Sequence, residues 1–311
     1  MRCREAFRVS PPNRLYAMST RAGIVTVAGR PNAGKSTLLN RLVGQHLAIT
    51  SPKPQSTRDR IVGLRTEGDV QMVILDTPGL LEPQDPLHRA MLGAALAALR
   101  EADVIVHVVD AARDAVAPLA QLAGLETPPR APVVLALNKG DLVNDVRRRA
   151  LAAEHPDAVV MSAKTGHGMP ELLAAITAHL PPSPFLYPED DLSTQHLRFF
   201  AREAVREAAL EQLDEEVPHA VACEIEEFRE SSAPVYIRAV LHVERDSQKR
   251  ILIGSGGQRI KAIGQAARQR IEVLVGGAVY LDLWVKVLPN WRRNPTALAR
   301  LGYPLPPDDT K

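Results

Sequence analysis

At 311 residues, with 45% apolar residues and a formal net charge of +2, the chain is long enough for two domains that each bury a core. It contains no apolar run long enough to span a bilayer, so any membrane contact is peripheral. Cys3 and Cys223 form neither a metal-ligand spacing nor a disulfide framework, which points to a reducing compartment.

In chain order, the first 17 residues hold four arginines and one acid. A transit peptide has this composition, but Met18 offers an alternative start, and residues 1–20 read as a disordered extension. Gly23–Ala28 reads as a buried strand and Ser36–Gly44 as a helix ending in glycine. Arg60–Thr66 and Val70–Asp76 are two strands joined through Gly68-Asp69 as a hairpin. Val104–Asp110, Pro132–Asn138 and the shorter Ala158–Met161 are apolar runs that fit strands covered on both faces. Helical patterns lie at Leu87–Arg100, Val116–Gly124, Asp145–Glu154 and Met169–Leu180. This alternation predicts a doubly wound, mostly parallel α/β domain over residues 21–182.

Prolines 181, 182, 184 and 188 mark a linker at residues 183–193. Beyond it the pattern changes. Gln195–Leu213 is helical, Ala220–Phe228 and Val235–Val243 are strands, Asp246–Ile253 and Gly257–Val275 are helices, and Val279–Val287 is a strand. The order α-β-β-α-α-β predicts an α+β domain over residues 194–303, followed by a loose tail at 304–311. Residues 186–236 hold 4 Lys+Arg against 13 Asp+Glu, whereas residues 237–303 hold 12 against 4. Such a basic block in a nearly neutral chain suggests a polyanion site or a solvated face.

Residues 29–37, GRPNAGKST, match G-x-x-x-x-G-K-[ST] between a strand and a helix. In this loop Gly29 and Gly34 permit close wrapping. The backbone of Arg30, Pro31, Asn32, Ala33 and their neighbours can turn N–H groups towards phosphates, next to a helix N-terminus that includes Thr37. Lys35 can neutralise β- and γ-phosphates, and Ser36 can offer a hydroxyl to Mg²⁺. Asp76-Thr77-Pro78-Gly79 ends the next strand; its carboxylate can hold Mg²⁺ through water, and the Gly79 amide can sense the γ-phosphate. Asn138-Lys139-Gly140-Asp141 suits guanine. Asp141 can accept from N1–H and the exocyclic amine, a donor pair that adenine lacks. Ser162-Ala163-Lys164 can supply a backbone N–H to O6. These motifs imply GTP and GDP as ligands and oppose an ATPase.

The set resembles the translation-factor class of GTPases. The resemblance places Gln55-Ser56-Thr57-Arg58-Asp59 in the first switch, with Thr57 as a second Mg²⁺ ligand beside Ser36 and Asp76, and implies Lys35, Thr57, Asp76 and Gly79 as the catalytic set. Leu80 stands where Ras-like enzymes carry a water-orienting glutamine, as in hydrophobic-substituted GTPases, and this implies slow turnover without a partner. Asn32 resembles an asparagine that in related GTPases helps hold K⁺; an Asx turn is the alternative.

Gly254-Ser255-Gly256-Gly257 lies between two helices and fits the GxxG loop of a KH domain, here in the type II order. Arg245, Lys249, Arg250, Arg259 and Lys261 flank it as phosphate contacts. A KH domain behind this GTPase domain resembles the Era family, from about Ala22 to Tyr303. PQSTRDRIVG, ERDSQKRILIGSGGQRIKAIG and LDLWVKVLPNW carry the likeness. It implies a monomer that binds 16S rRNA near its 3′ end, a role in 30S maturation, and a cytoplasmic location with partial association with the inner membrane. Ser255 stands where the family often has lysine, which removes one phosphate contact. Two other readings remain beside this one. A nucleotide-regulated RNA chaperone with negligible hydrolysis is kept open by Leu80, and another ribosome- or tRNA-associated GTPase is opposed by the single G domain.

Overall fold

The structure is a computed structural model that describes residues 20–53 and 55–307. The expected extension up to Ser19, with Met18, lies outside the described residues, as does the tail from residue 308.

The first domain is a six-stranded sheet in the order β2-β3-β1-β4-β5-β6. Its strands are β1 (Arg21–Ala28), β2 (Ile61–Glu67), β3 (Val70–Asp76), β4 (Val104–Asp110), β5 (Val133–Asn138) and β6 (Val159–Val160). Only β2 is antiparallel to its neighbour, as the two-residue turn through Gly68-Asp69 requires. Helices α1 (Lys35–Val43) and α5 (Met169–His179) cover one face of the sheet through Leu38, Leu39, Leu42, Leu172 and Ile176. Helices α2 (Pro86–Glu101) and α3 (Leu119–Ala123) cover the other through Ala95, Leu99 and Leu119, extended by α4 (Asp145–Glu154) through Leu151. Burial on both faces explains why β4 is buried along its whole length. Each fully buried Leu or Val contributes roughly 1.5–3 kcal/mol. Helix α3 starts later than the sequence pattern suggests because Pro118 forms its N-cap.

The second domain holds α6 (Leu197–Gln212), α7 (Val217–Ala220), β7 (Ala222–Arg229), β8 (Val235–Val243), α8 (Asp246–Ile253), α9 (Gln258–Val275), β9 (Val279–Val287) and α10 (Pro295–Arg300). Its sheet order is β7-β8-β9, with β8 and β9 parallel and in full register from Val235↔Val279 to Val243↔Val287. Ile237, Ala239 and Leu241 bury one face of the sheet against Val205, Ala208, Ile263, Ala267 and Ile271 of α6 and α9. Two helices go beyond the sequence reading. Helix α7 is a single turn, too short for periodicity to show. Helix α10 is capped by Asn294, whose Oδ1 accepts from Thr296 N (3.0 Å) and Ala297 N (3.2 Å), with Pro295 at its first position.

The linker is not a free tether. Leu64 N donates to Leu192 O at 2.9 Å, Val62 N to Gln195 Oε1 at 2.9 Å, and Gln71 Nε2 to Tyr187 O at 2.8 Å. The edge strand β2 is thereby covered, which removes an aggregation-prone edge. In the tail, expected to be loose, Leu305 and Pro306 make contacts with the first domain while Pro304 and Pro307 are exposed. Leu305 joins a cluster with Leu87, Met91, Trp291 and Tyr303, and Pro306 lies against Gly93, where a Cβ would meet its ring at 3.1 Å. The physical reason is that α2 presents an apolar face with a glycine notch that these apolar residues fill. Among the described residues, no helix is long and apolar enough to cross a membrane.

The Trp291 cluster joins the two domains, since Leu87, Ala90 and Met91 come from α2 and the rest from the second domain. Trp291 is fully buried, and its Nε1 donates to Ala220 O at 2.9 Å. Trp291→Ala is expected to cost about 3–5 kcal/mol, measured by denaturant unfolding against wild type; an unchanged midpoint would contradict this packing role.

Candidate nucleotide site and nucleic-acid surface

A cavity of about 620 Å³ opens where the C-terminal ends of β1 and β4 meet the start of α1, lined by residues 34–37, 49–52 and 55–57 together with Gly79, Lys139 and Lys164. The loop between β1 and α1 is shaped by close approaches. A Cβ on Gly29 would lie 2.2 Å from Val108 O, one on Gly34 2.3 Å from Asn138 Nδ2, and one on Gly79 2.7 Å from Pro31. Glycine alone fits these positions. Lys35 Nζ donates to Arg30 O at 2.9 Å. Thr77 and Pro78 are buried, with Thr77 Oγ1 donating to Val27 O at 2.8 Å; they fix the loop and do not face the cavity.

Ser36, Thr57 and Asp76 converge. Ser36 Oγ is 2.7 Å from Asp76 Oδ2 and 2.8 Å from Thr57 Oγ1, and Thr57 Oγ1 is 3.3 Å from Asp76 Oδ2. Asp76 Oδ1 is buried without a partner. Burial raises the Asp76 carboxyl to about 6, against the pull of Lys35 and the two hydroxyls. Burial also lowers Lys35 to about 8, opposed by Asp76. A buried orphan carboxylate oxygen beside two hydroxyls fits a hard, oxygen-seeking cation, and a desolvated lysine fits an anion. These residues therefore fit Mg²⁺ and a polyphosphate.

Several of the residues expected to recognise a base hold the loops of the site together. Asn138 ties loops together, with Nδ2 donating to Ala33 O and Oδ1 accepting from Ala163 N, both at 2.8 Å. Gly140 N donates to Met161 O at 2.9 Å. Lys139, at φ 62°, pairs with Asp110 at 2.6 Å. The N–H of Ser162 is held by His167 O and that of Ala163 by Asn138, which leaves the Lys164 N–H for a base. Asp141 is exposed; its neighbours Lys139 and Leu142 line the cavity, and Asp141 itself does not. The sequence reading missed Asp110, Arg113 and Leu142, which also line the site, and Arg41, whose guanidinium reaches Ala163 O at 3.0 Å and also Lys164 O. Asp110 carries a usable signal, a carboxylate closing an otherwise apolar strand. Arg41 carries none, because a basic residue late in a helix is ordinary. Leu80 is buried and its N–H donates to Gly29 O at 3.0 Å, so its side chain is turned away from the cavity. Asn32, at φ 60°, donates from Nδ2 to Pro52 O at 3.0 Å, linking the phosphate loop to the first switch.

The first switch is bound to the second domain on both sides of Thr57. Arg58 is buried and donates to Val221 O (2.6 Å), His219 O (3.0 Å) and Pro218 O (3.3 Å) at the end of α7. Lys53 Nζ donates to Leu210 O at 2.6 Å and to Leu213 O at the end of α6. Each cation thus satisfies carbonyls that a helix C-terminus leaves open. Arg206 of α6 donates to Ser56 O.

In the GxxG loop, Gly254, Gly256 and Gly257 have φ of 75°, 56° and 77°. Ser255 and Gly256 are exposed, and a Cβ on Gly256 would meet open space. Arg245, Lys249, Arg250 and Lys261 take part in no ion pair among the described residues. Arg259 differs from expectation: Nη1 donates to Ile251 O at 2.6 Å, so it braces the loop rather than projecting from it.

Comparison with known proteins agrees with this geometry. A family profile described as "50S ribosome-binding GTPase" matches residues 24–139, and one described as "KH domain" matches residues 216–292. GTPase Era of Pseudomonas entomophila is 44% identical over 293 residues, covering 92% of this chain and 97% of that relative. The chain belongs to the Era family. GTPase Era of Azotobacter vinelandii is likewise 44% identical over 92% of the chain and 97% of its own length. A solved Era structure in complex with MgGDPNP and nucleotides 1506–1542 of 16S ribosomal RNA has a TM-score of 0.85 and 38% identity, covering 92% of this chain and 100% of that one. An Aquifex aeolicus Era variant bound to GDP and AlF₄⁻ matches equally well, at TM-score 0.85, 38% identity and the same coverage. As an Era-family protein the chain is a GTP-hydrolysing enzyme with a KH domain behind its GTPase domain.

Ser36 sits on a helix and Thr57 on the switch, so their loss should differ. Ser36→Ala is expected to weaken both GTP and GDP binding in Mg²⁺, whereas Thr57→Ala weakens GTP selectively. Each effect is about tenfold or more, in line with the ~1.5–3 kcal/mol of a hydrogen bond to a charged group. Calorimetric titration with GDP and a non-hydrolysable GTP analogue separates the two, and equal losses of both nucleotides in Thr57→Ala would refute the switch assignment.

Proposed function

We propose that this protein is a GTP-hydrolysing switch that binds 16S rRNA near its 3′ end through its KH domain and assists maturation of the 30S subunit. The observation that carries this reading is the convergence of Ser36, Thr57 and Asp76 on one buried site while Arg58, next to Thr57, is anchored in the RNA-binding half. The reading includes a monomer in the cytoplasm with peripheral contact at the inner membrane surface; family resemblance supports both points.

In this scheme the glycine-shaped loop wraps the phosphates and Lys35 neutralises the β- and γ-oxygens. Ser36, Thr57 and Asp76 would hold Mg²⁺, which when bound supplies charge neutralisation across the transferring phosphoryl group. Gly79, which lines the cavity, would sense the γ-phosphate through its N–H, and Asp141 would read the guanine edge. No side chain at position 80 orients water, because Leu80 is buried in the core. Turnover is accordingly slow until a partner or a bound K⁺ near Asn32 completes the site. The RNA-binding half can influence this chemistry because it holds the loop that carries Thr57.

Asp141→Asn should exchange guanine for xanthine nucleotides in competition binding; equal wild-type affinity for ATP and GTP would sink the guanine assignment. GTP turnover in matched KCl and NaCl should be faster in KCl, and equal rates would remove the potassium role. Changing Ser255 and Gly256 both to Asp puts two negative charges beside the RNA backbone. RNA affinity should fall by at least tenfold while GTP binding and thermal midpoint hold. Unaltered binding of the small-subunit 3′ sequence by this folded variant would overturn the KH role.

A further inference from the structure

The outer face of the KH sheet carries a group of side chains that neither the nucleotide site nor the GxxG loop employs. One face of β8 and β9 packs on α6 and α9; the other presents Tyr236 and Arg238 from β8, and Tyr280, Asp282 and Trp284 from β9. The register sets Tyr236 opposite Tyr280 and Arg238 opposite Asp282. The two tyrosine rings stack at 5.8 Å with planes 11° apart, and Arg229 covers the Tyr236 ring at 4.8 Å. Asp282 is the hub: it accepts from Tyr236 Oη at 3.0 Å, Arg238 Nε at 2.9 Å and Trp284 Nε1 at 2.7 Å. Tyr280 is nevertheless 59% exposed and Trp284 54%.

A cross-strand tyrosine pair by itself stabilises a sheet. Trp284 does not fit that explanation. Its cross-strand neighbour is Val240, and half of its indole surface meets solvent, yet a carboxylate fixes its orientation. Pinned, exposed aromatic rings are low-entropy contact surfaces.

We infer that Tyr280 and Trp284 form a stacking platform for unpaired RNA bases, a second contact surface beyond the GxxG loop. This rests on the reading of the second domain as RNA-binding. Continuity with that loop selects the occupant. Strand β9 is one of the two outer strands of the sheet, and the one that packs on α8 and α9. On its inner face Leu283 lies 3.8 Å from the position a Cβ on Gly264 would take, two turns along the helix that starts at the loop, and Trp284 is the next residue, on the outer face. RNA leaving the loop across this edge brings its bases to the indole. The platform's arginines are matched by carboxylates, Arg238 by Asp282 and Arg229 by Glu227. It therefore offers ring faces, on which any base can stack, and leaves phosphate neutralisation to the basic residues around the loop.

The test uses the full chain with Mg²⁺ and a GTP analogue, titrated against fluorescently labelled single-stranded RNAs of about four and about twelve nucleotides from the small-subunit 3′ end; the shorter spans only the roughly four nucleotides a GxxG loop clamps. Trp284→Ala should weaken the longer RNA about fivefold or more, the lower bound for losing one stacked base. It should leave the shorter RNA unchanged, and Trp284→Phe should restore most of the loss. The deficit should persist at raised salt, unlike a phosphate contact. The Ser255→Asp, Gly256→Asp double variant, run in parallel, should lose both RNAs. If Trp284→Ala binds both RNAs like wild type while the double variant loses them, the platform is refuted and the KH reading stands. If Trp284→Ala loses both RNAs equally, the platform is also refuted, since the damage then lies in the loop cleft. If the double variant retains both RNAs, the KH reading itself fails and takes the platform's premise with it.

Discussion

The segment Gln55–Asp59, together with Lys53 just ahead of it, belongs to both domains at once, and the rest of the structure depends on that shared ownership. Thr57 points at Asp76 in the nucleotide site, while Arg58 turns the opposite way into the carbonyls at the end of α7. A helix C-terminus leaves its last carbonyls without intrahelical donors, and a buried end must find them elsewhere. Here the donors for two KH-domain helices, α6 and α7, come from a loop of the GTPase domain. Burial lowers Arg58 only to about 10, so the guanidinium stays charged and the contact remains charge-assisted. Displacing this loop would uncap both helices, so the conformations of the loop and of the KH domain are energetically linked.

Around this joint the polar groups are arranged in opposing pairs. Burial pushes Asp76 up and Lys35 down, so each favours a ligand that restores its charged state, a cation for one and phosphate for the other. On the KH side, burial disfavours the Glu203 carboxylate, but Arg206 and Arg202 outweigh it and hold it below its usual range. Arg206 in turn reaches Ser56 O. Losing one member of such a buried network costs more than any pairwise contact suggests, because its partners are left desolvated. The linker, hydrogen-bonded to β2 and β3, adds a second route along which motion of the hairpin after the switch is felt by the KH domain.

Most of this architecture can be read from residue order. The phosphate loop, DTPG, NKGD and SAK each lie at the end of an apolar strand, and a parallel sheet brings strand ends together, so motif plus position was enough to assemble the pocket. The KH strands were legible because Val235–Val243 and Val279–Val287 alternate cleanly. Helix α7 was not legible, since one turn has no period, and the Pro-rich tail hid the contacts of Leu305 and Pro306, which arise because α2 offers an apolar face and Gly93. Arg58 and Lys53 look like ordinary loop cations in sequence. Their meaning arises from carbonyls more than 150 residues away, which no local pattern encodes. Arg259 erred in the other direction: charge and position suggested a phosphate contact, but its guanidinium is satisfied by Ile251 O.

The central claim is that one loop couples nucleotide state to RNA binding. The most direct measurement is the affinity of the full chain for the small-subunit 3′-terminal RNA with Mg²⁺ and either GDP or a non-hydrolysable GTP analogue, in wild type and in Arg58→Ala. The account predicts a severalfold difference in RNA affinity between the two nucleotide states, and a difference that collapses in Arg58→Ala although both nucleotides still bind. Equal RNA affinity of the wild type in the two nucleotide states, or a difference that survives intact in Arg58→Ala, would contradict it.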